Sequence, residues 1–166
     1  MVDSSFHVLL SRHGGSRLLR TLQKNQVEFF VIGGTALALY GARELTDVGD
    51  LDLMVNPTEE NVARLRQSIA ALGFFEPSEA DAWSHRFNRH IPLKSHTYFC
   101  DLLTPESVED FGSLSVGTTA FEFEEAPVSF ASRKSLHTLL NRAMANDTTA
   151  ELRRRDLAAL ERTMIP

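Results

Sequence analysis

A chain of 166 residues, 43% hydrophobic and 23% charged, carries enough apolar material for one sizeable core and points to one domain rather than two. Its formal charge of -5 and pI of about 5.7 exclude a polycation that coats nucleic acid indiscriminately, so any RNA contact has to be local. The single cysteine, Cys100, excludes an intramolecular disulfide and an all-cysteine zinc site, and no run approaches the ~18 apolar residues of a membrane span. The opening MVDSSFHVLLSRHGG sets an acid before a three-residue apolar run and does not resemble a secretion signal. The expectation is one cytoplasmic domain over residues 1–166 with no membrane partner, its core at about 16–130 and a helical segment at about 132–163.

In chain order, Ser16 to Gln26 spaces Leu18, Leu19 and Leu22 as an amphipathic helix, the first element expected. Val27 to Ile32 is short, β-branched and aromatic, a strand ended by Gly33-Gly34. Thr35 to Tyr40 is rich in alanine and leucine, a helix stopped at Gly41, and a polar loop then runs from Ala42 to Gly49. Asp50 to Val55 is the second strand, closed by Asn56-Pro57. Thr58 caps a helix to Leu72, with Val62, Leu65, Ile69 and Leu72 on one face, Glu59 and Glu60 in its first turn, and Gly73 beyond its end.

Residues 74–96 are the least legible. Glu76-Pro77-Ser78 reads as loop, and Trp83 to Ile91 as a strand or an irregular turn. Thr97 to Thr104 is a strand stopped by Pro105, and Glu106 to Phe111 a short helix. Phe121 to Phe123 and Val128 to Phe130 read as a pair of edge strands. Ser132 caps a helix to about Met144, and Thr148 with Glu151 forms a capping box for a last helix to about Thr163. The order predicts an α+β fold, a mixed β-sheet flanked by helices with two helices at the C-terminus.

Side chains alternate along a strand, so Asp50 and Asp52 share one face while Leu51, Leu53 and Val55 share the other. Two carboxylates about 6 to 7 Å apart along one strand face suit a hard cation such as Mg²⁺, which takes a few oxygen ligands and completes its shell with water and phosphate. Asp101, on a later strand, is the candidate third acid, because an aspartate among Phe99, Cys100, Leu102 and Leu103 needs a partner, a metal or exposure. Gly33-Gly34 lets the chain turn sharply and lets an anion approach the backbone, and Thr35 adds a hydroxyl. Each part alone has a plainer reading: a turn, a solvated Asp-x-Asp in a chain with 22 acids, a strand-end cap. Only their ordered combination favours a site. His85, His90 and His96 with Cys100 match no common zinc spacing and read as ordinary surface histidines. Arg153-Arg154-Arg155 reads as a solvated helix face, and Trp83 near Arg86 as core packing rather than base stacking.

VIGGTALALYGARELTDVGDLDLMV followed by FCDLLTPESVEDF resembles the signature of the nucleotidyltransferase superfamily, the fold of DNA polymerase β and the minimal nucleotidyltransferases, and is most similar to the AbiEii-type toxins and related bacterial nucleotidyltransferases. The resemblance covers roughly residues 27–160 and is strongest in 27–56 and 97–111. It implies an NTP substrate and Mg²⁺ or Mn²⁺. Gly33, Gly34 and Thr35 would hold the triphosphate, Asp50 and Asp52 would bind two metal ions, and Asp101 would share a metal and act as, or orient, the base. Arg43, between the glycines and the acids, would be a further triphosphate contact, as would Arg142, in a helix where the family tends to carry a lysine. Fifteen residues separate Gly34 from Asp50, and Asp47-Val48-Gly49 reads as an insertion that could displace the acids. The implied reaction moves an NMP to an acceptor hydroxyl of tRNA, protein or a small molecule with release of pyrophosphate, in a toxin or defence enzyme with a cognate antitoxin as partner. The alternatives are an antibiotic nucleotidyltransferase of the lincosamide-modifying kind and a catalytically degenerate module that binds a nucleotide or a partner.

Overall fold

The computed structural model describes residues 4–73, 85–146 and 151–165. The readings placed on Glu76-Pro77-Ser78, Trp83 and Thr148 lie outside them. The chain begins with a helix that the sequence reading did not include, α1 (Ser4–Ser11), which passes through a single 3-10 turn into the expected amphipathic helix, α2 (Gly15–Lys24). Strand β1 (Phe29–Ile32) leads directly into α3 (Gly33–Leu39), so Gly33 and Gly34 form the first turn of that helix rather than a separate loop before it. Strand β2 (Leu51–Val55) then precedes α4 (Glu59–Ala71), where Thr58 Oγ1 accepts from the Asn61 amide and Val62, Leu65, Ile69 and Leu72 are all buried as their spacing predicts.

The illegible stretch contains β3 (His90–Lys94), which pairs antiparallel with β4 (Phe99–Leu103). Helix α5 (Val108–Ser115) is capped by Ser107, whose hydroxyl accepts from the Asp110 amide. Strands β5 (Thr119–Phe123) and β6 (Ala126–Phe130) form the expected pair, and α6 (Arg133–Asn146) and α7 (Glu151–Met164) close the chain. The six strands form one mixed sheet in the order β3-β4-β2-β1-β6-β5. Strand β6 is therefore interior, not an edge as expected. Its end pairs in parallel with β1, Val31 opposite Phe130, and the Ala131 amide donates to the Val31 carbonyl at 2.9 Å. The near-complete burial of Val128 and Phe130 is what that position requires.

Helices lie against the sheet by burying their apolar stripes. Phe111 of α5 packs on Phe30 of β1, with ring centroids 5.2 Å apart, and so covers the sheet face that also carries Ile32, Asp52 and Met54. Helices α2 and α4 pack on one another, tied by an Asn25 to Ser68 hydrogen bond at 2.8 Å, and their leucines join the core cluster of Val31, Leu53, Val55 and Leu102.

A buried asparagine fixes where α4 starts relative to the sheet. Asn61, fully buried, accepts from the Glu28 amide at 2.7 Å and donates to the carbonyls of Glu28 at 3.0 Å and Asn56 at 2.8 Å. It thereby ties the entry of β1 and the exit of β2 to one helix turn. Asn61→Ala leaves a buried amide and two carbonyls without that partner, and urea denaturation is expected to show a loss of about 2 to 3 kcal/mol; a loss below about 0.5 kcal/mol would refute the role.

Candidate functional site

Strands β2 and β4 lie side by side and parallel, and their register sets Asp52 directly opposite Asp101. Asp50, immediately before β2, falls on the same face by alternation. The three residues each offer a carboxylate oxygen, and these oxygens all lie within 4.8 Å of one another. This is the convergence expected from the sequence. The longer link between Gly34 and Asp50 does not disturb it, because Leu45–Asp47 coils into a 3-10 turn and the Thr35 hydroxyl donates to the Asp50 carbonyl at 3.4 Å, holding the end of the loop.

Three carboxylates so close cannot all ionise freely. Burial, then the charges of Asp50 and Asp101, push the Asp52 carboxyl up to about 7, against a hydrogen bond from the Gly34 amide and the field of Arg43. Asp101 is buried, and its Oδ1 has no hydrogen-bond partner. A buried carboxylate oxygen without a hydrogen bond, in a cluster with two other carboxylates, is a position a cation can take.

The glycines are explained by what approaches them. Gly33 has φ +62, and a Cβ there would fall well inside contact distance of Asp52 Oδ2. A Cβ on Gly34 would meet Arg43 Nη1. Arg43 is mostly buried and pairs with Asp156 of α7, donating through Nε at 3.3 Å and again through Nη2, and Asp156 is only 1% exposed. The C-terminal helix therefore holds the arginine that underlies the glycine turn. Thr35, buried, uses its hydroxyl on the Asp50 carbonyl.

Arg142 is placed elsewhere. It forks onto Asp110 of α5, at 2.7 and 2.9 Å, and this pairing holds the Asp110 carboxyl below its ordinary range. Together with Met54 and Leu103, the pair lines a hollow further along β2 and β4. Cys100 is buried on the opposite side of β4 from Asp101, and its thiol is pushed well above its ordinary range by burial and then by the acids, so it stays protonated. Among the described residues the three aspartates are the group of His, Cys, Asp or Glu side chains that can hold a metal. In the run Arg153-Arg154-Arg155, Arg154 and Arg155 are exposed, and Arg155 reaches Asp47 at 3.4 Å.

Three side chains at the site were missed in sequence. Lys94 Nζ lies 3.4 Å from Asp101 Oδ1 and 3.8 Å from Asp50 Oδ2, and His90 Nε2 lies 3.1 Å from Asp101 Oδ2. Their signal was the alternation of HIPLK, which puts His90, Pro92 and Lys94 on one face with Ile91 and Leu93 buried on the other. Asp156 was visible as an acid four residues before Leu160, on the buried stripe of α7.

No protein-family model matches this chain, and no curated protein matches it in sequence. Among solved structures, an antigenic nucleotidyltransferase-like protein from Paracoccidioides brasiliensis is similar, with a TM-score of 0.54 at 13% identity, over 95% of this chain and 76% of that one. That likeness establishes the fold: the chain is an α+β protein with a nucleotidyltransferase-like arrangement of sheet and helices, and its three clustered acids can bind a metal.

Removing Asp156 strands the buried guanidinium of Arg43. Asp156→Ala is expected to cost about 3 kcal/mol by urea denaturation, and the paired replacement Arg43→Met with Asp156→Leu to recover most of it; equal losses in both proteins would refute the pairing.

Asp52 makes stability depend on pH in a defined direction. Unfolded, its carboxyl releases a proton near 3.8, whereas folded it holds the proton up to about 7, so the native state loses stability as pH rises between those values. In EDTA, Asp52→Asn is expected to melt about 10 °C above wild type at about pH 8, by a smaller margin at about pH 5, and close to it only near about pH 4. A constant difference across that range would contradict the clustering, and a divalent cation is expected to raise the wild-type melting temperature and not that of the variant.

Proposed function

We propose that this chain is a divalent-cation-dependent nucleotidyltransferase that moves an NMP from an NTP to an acceptor hydroxyl and releases pyrophosphate. The observation that carries the reading is the convergence of Asp50, Asp52 and Asp101 on one face of two adjacent strands, beside a glycine turn, in a nucleotidyltransferase-like fold. The residues fit Mg²⁺ or Mn²⁺: every donor is a carboxylate oxygen, Asp101 Oδ1 is buried without a hydrogen bond, and the mutual repulsion of the acids is relieved by a cation. When bound, such an ion would neutralise the triphosphate and stabilise charge on the attacking and leaving oxygens.

The chain's own residues divide the remaining work. Asp52 fills the space a side chain on Gly33 would take and Arg43 the space beside Gly34, and Arg43, oriented by Asp156, adds a positive field to the glycine turn where the triphosphate would lie. Thr35 steadies Asp50 through its carbonyl. Asp101 would take the proton of the acceptor hydroxyl or hold the metal that acidifies it, while the hydroxyl oxygen bonds to the α-phosphorus as the bond to the β-phosphate breaks and pyrophosphate leaves. Arg142 serves as a brace between α6 and α5 through Asp110. Asp50 stands at the exposed edge of the cluster, its side chain 36% exposed beside Lys94 at 44%, with Asp52 and Asp101 more deeply placed, and an exposed edge of this kind favours a macromolecular acceptor over an enclosed small molecule. With the resemblance to AbiEii-type toxins, this supports tRNA or protein as the acceptor and a toxin or defence role with a cognate antitoxin.

Each of the four NTPs labelled at the α-phosphate, offered with Mg²⁺ or Mn²⁺ to bulk tRNA and to cell extract, is the direct test. Label on one acceptor class with wild type and none with Asp52→Asn is expected. Wild-type protein that binds Mn²⁺ yet labels nothing in any combination would refute the transfer reaction.

A further inference from the structure

Strand β3 borders the acid cluster from the outside of the sheet. Its register sets Pro92 opposite Asp101, with His90 and Lys94 one step to either side on the same face. The imidazole and the ammonium therefore flank a single buried carboxylate. Lys94 reaches further, since its ammonium stands between Asp101 Oδ1 at 3.4 Å and Asp50 Oδ2 at 3.8 Å and so spans two of the three acids.

The manner of that contact is informative. Lysine carries three donors, yet Asp101 Oδ1 receives no hydrogen bond, so charge rather than directed bonding holds the ammonium there. The side chain is 44% exposed, lies on an edge strand, and its Nζ is 5.8 Å from the centre of the Phe99 ring, itself 44% exposed. A flexible four-carbon stem with a solvated head and an aromatic face at hand can withdraw without disturbing the core.

We propose that Lys94 is an internal counter-cation of the acid cluster, holding Asp50 and Asp101 together in the metal-free protein and giving way when a divalent cation takes their oxygens. This rests on the reading of the three aspartates as a metal site. Because the ammonium and the metal compete for the same two carboxylates, Lys94 weakens metal binding while supporting the metal-free fold. Lys94 is a positioning residue for Asp50 and Asp101, and its removal has opposite effects on the two states.

Mn²⁺ titration followed by EPR, on wild type, Lys94→Met, Lys94→Gln and Lys94→Arg, tests it, together with thermal melts in EDTA and in saturating MgCl₂. The two neutral variants are expected to bind Mn²⁺ about fivefold tighter than wild type, as loss of an exposed ion-pair competitor predicts, and Lys94→Arg to bind as wild type. They are also expected to melt below wild type in EDTA and to lose that deficit in Mg²⁺. Neutral variants that bind Mn²⁺ no tighter than wild type would overturn the role of Lys94 and leave the metal site standing. Failure of both wild type and variants to bind Mn²⁺ would overturn the metal site and this inference with it.

Discussion

Asp50, Asp52 and Asp101 repel one another across less than 4.8 Å, and the surrounding structure is arranged to tolerate that repulsion. The parallel register of β2 and β4 forces Asp52 and Asp101 together, and the register is itself held by Leu53 and Leu102, which are paired on the opposite face and almost wholly buried. Sliding either strand by one residue would separate the acids and expose those leucines. Hydrophobic packing on one side of the sheet thus maintains an electrostatically unfavourable cluster on the other. The proton retained by Asp52, the amide of Gly34, the mostly buried Arg43 and the flanking Lys94 each offset part of the cost.

The same constraint explains the glycine pair and the C-terminal helix. Gly33 adopts a left-handed conformation against the Asp52 carboxylate, and Gly34 admits Arg43 from behind, so both positions exclude a side chain for reasons internal to the apo site. Arg43 would be an unpaired buried charge without Asp156, which makes α7 part of the site's electrostatics although it lies far away in sequence. A nearly buried ion pair of this kind fixes geometry more than it adds net stability.

A fold likeness at 13% identity carries architecture and no chemistry, and a nucleotidyltransferase-like sheet can support a silent binding module as well as an enzyme. What argues for chemistry is local: a buried carboxylate oxygen without a hydrogen bond, three acids held close together, and an exposed edge at Asp50. A scaffold without ligand would gain stability by replacing Asp52 with a neutral residue. Arg142, by contrast, forks onto Asp110 with its two terminal nitrogens and ties α6 to α5.

Elements whose signal is local were legible in the sequence. The α4 stripe with its Thr58 cap, the alternation that puts Asp50 and Asp52 on one face, and the pairing of β5 with β6 all follow from periodicity and turn chemistry within a few residues. The mixed sheet itself and the convergence of Asp101 with the earlier acids were anticipated from the order of elements and from a family resemblance. Other features depended on partners distant in the chain. That β6 is interior is set by its parallel pairing with β1, and the weak pattern before β4 became a strand because β4 offered an edge. Lys94 reaches Asp50 through two strand registers, and Asp156 meets Arg43 across 113 positions. By itself the sequence determined which residue types face the same way along each element, because alternation and helical period act over neighbouring residues. The tertiary structure alone decided which faces meet, because register and packing are set by the whole core at once.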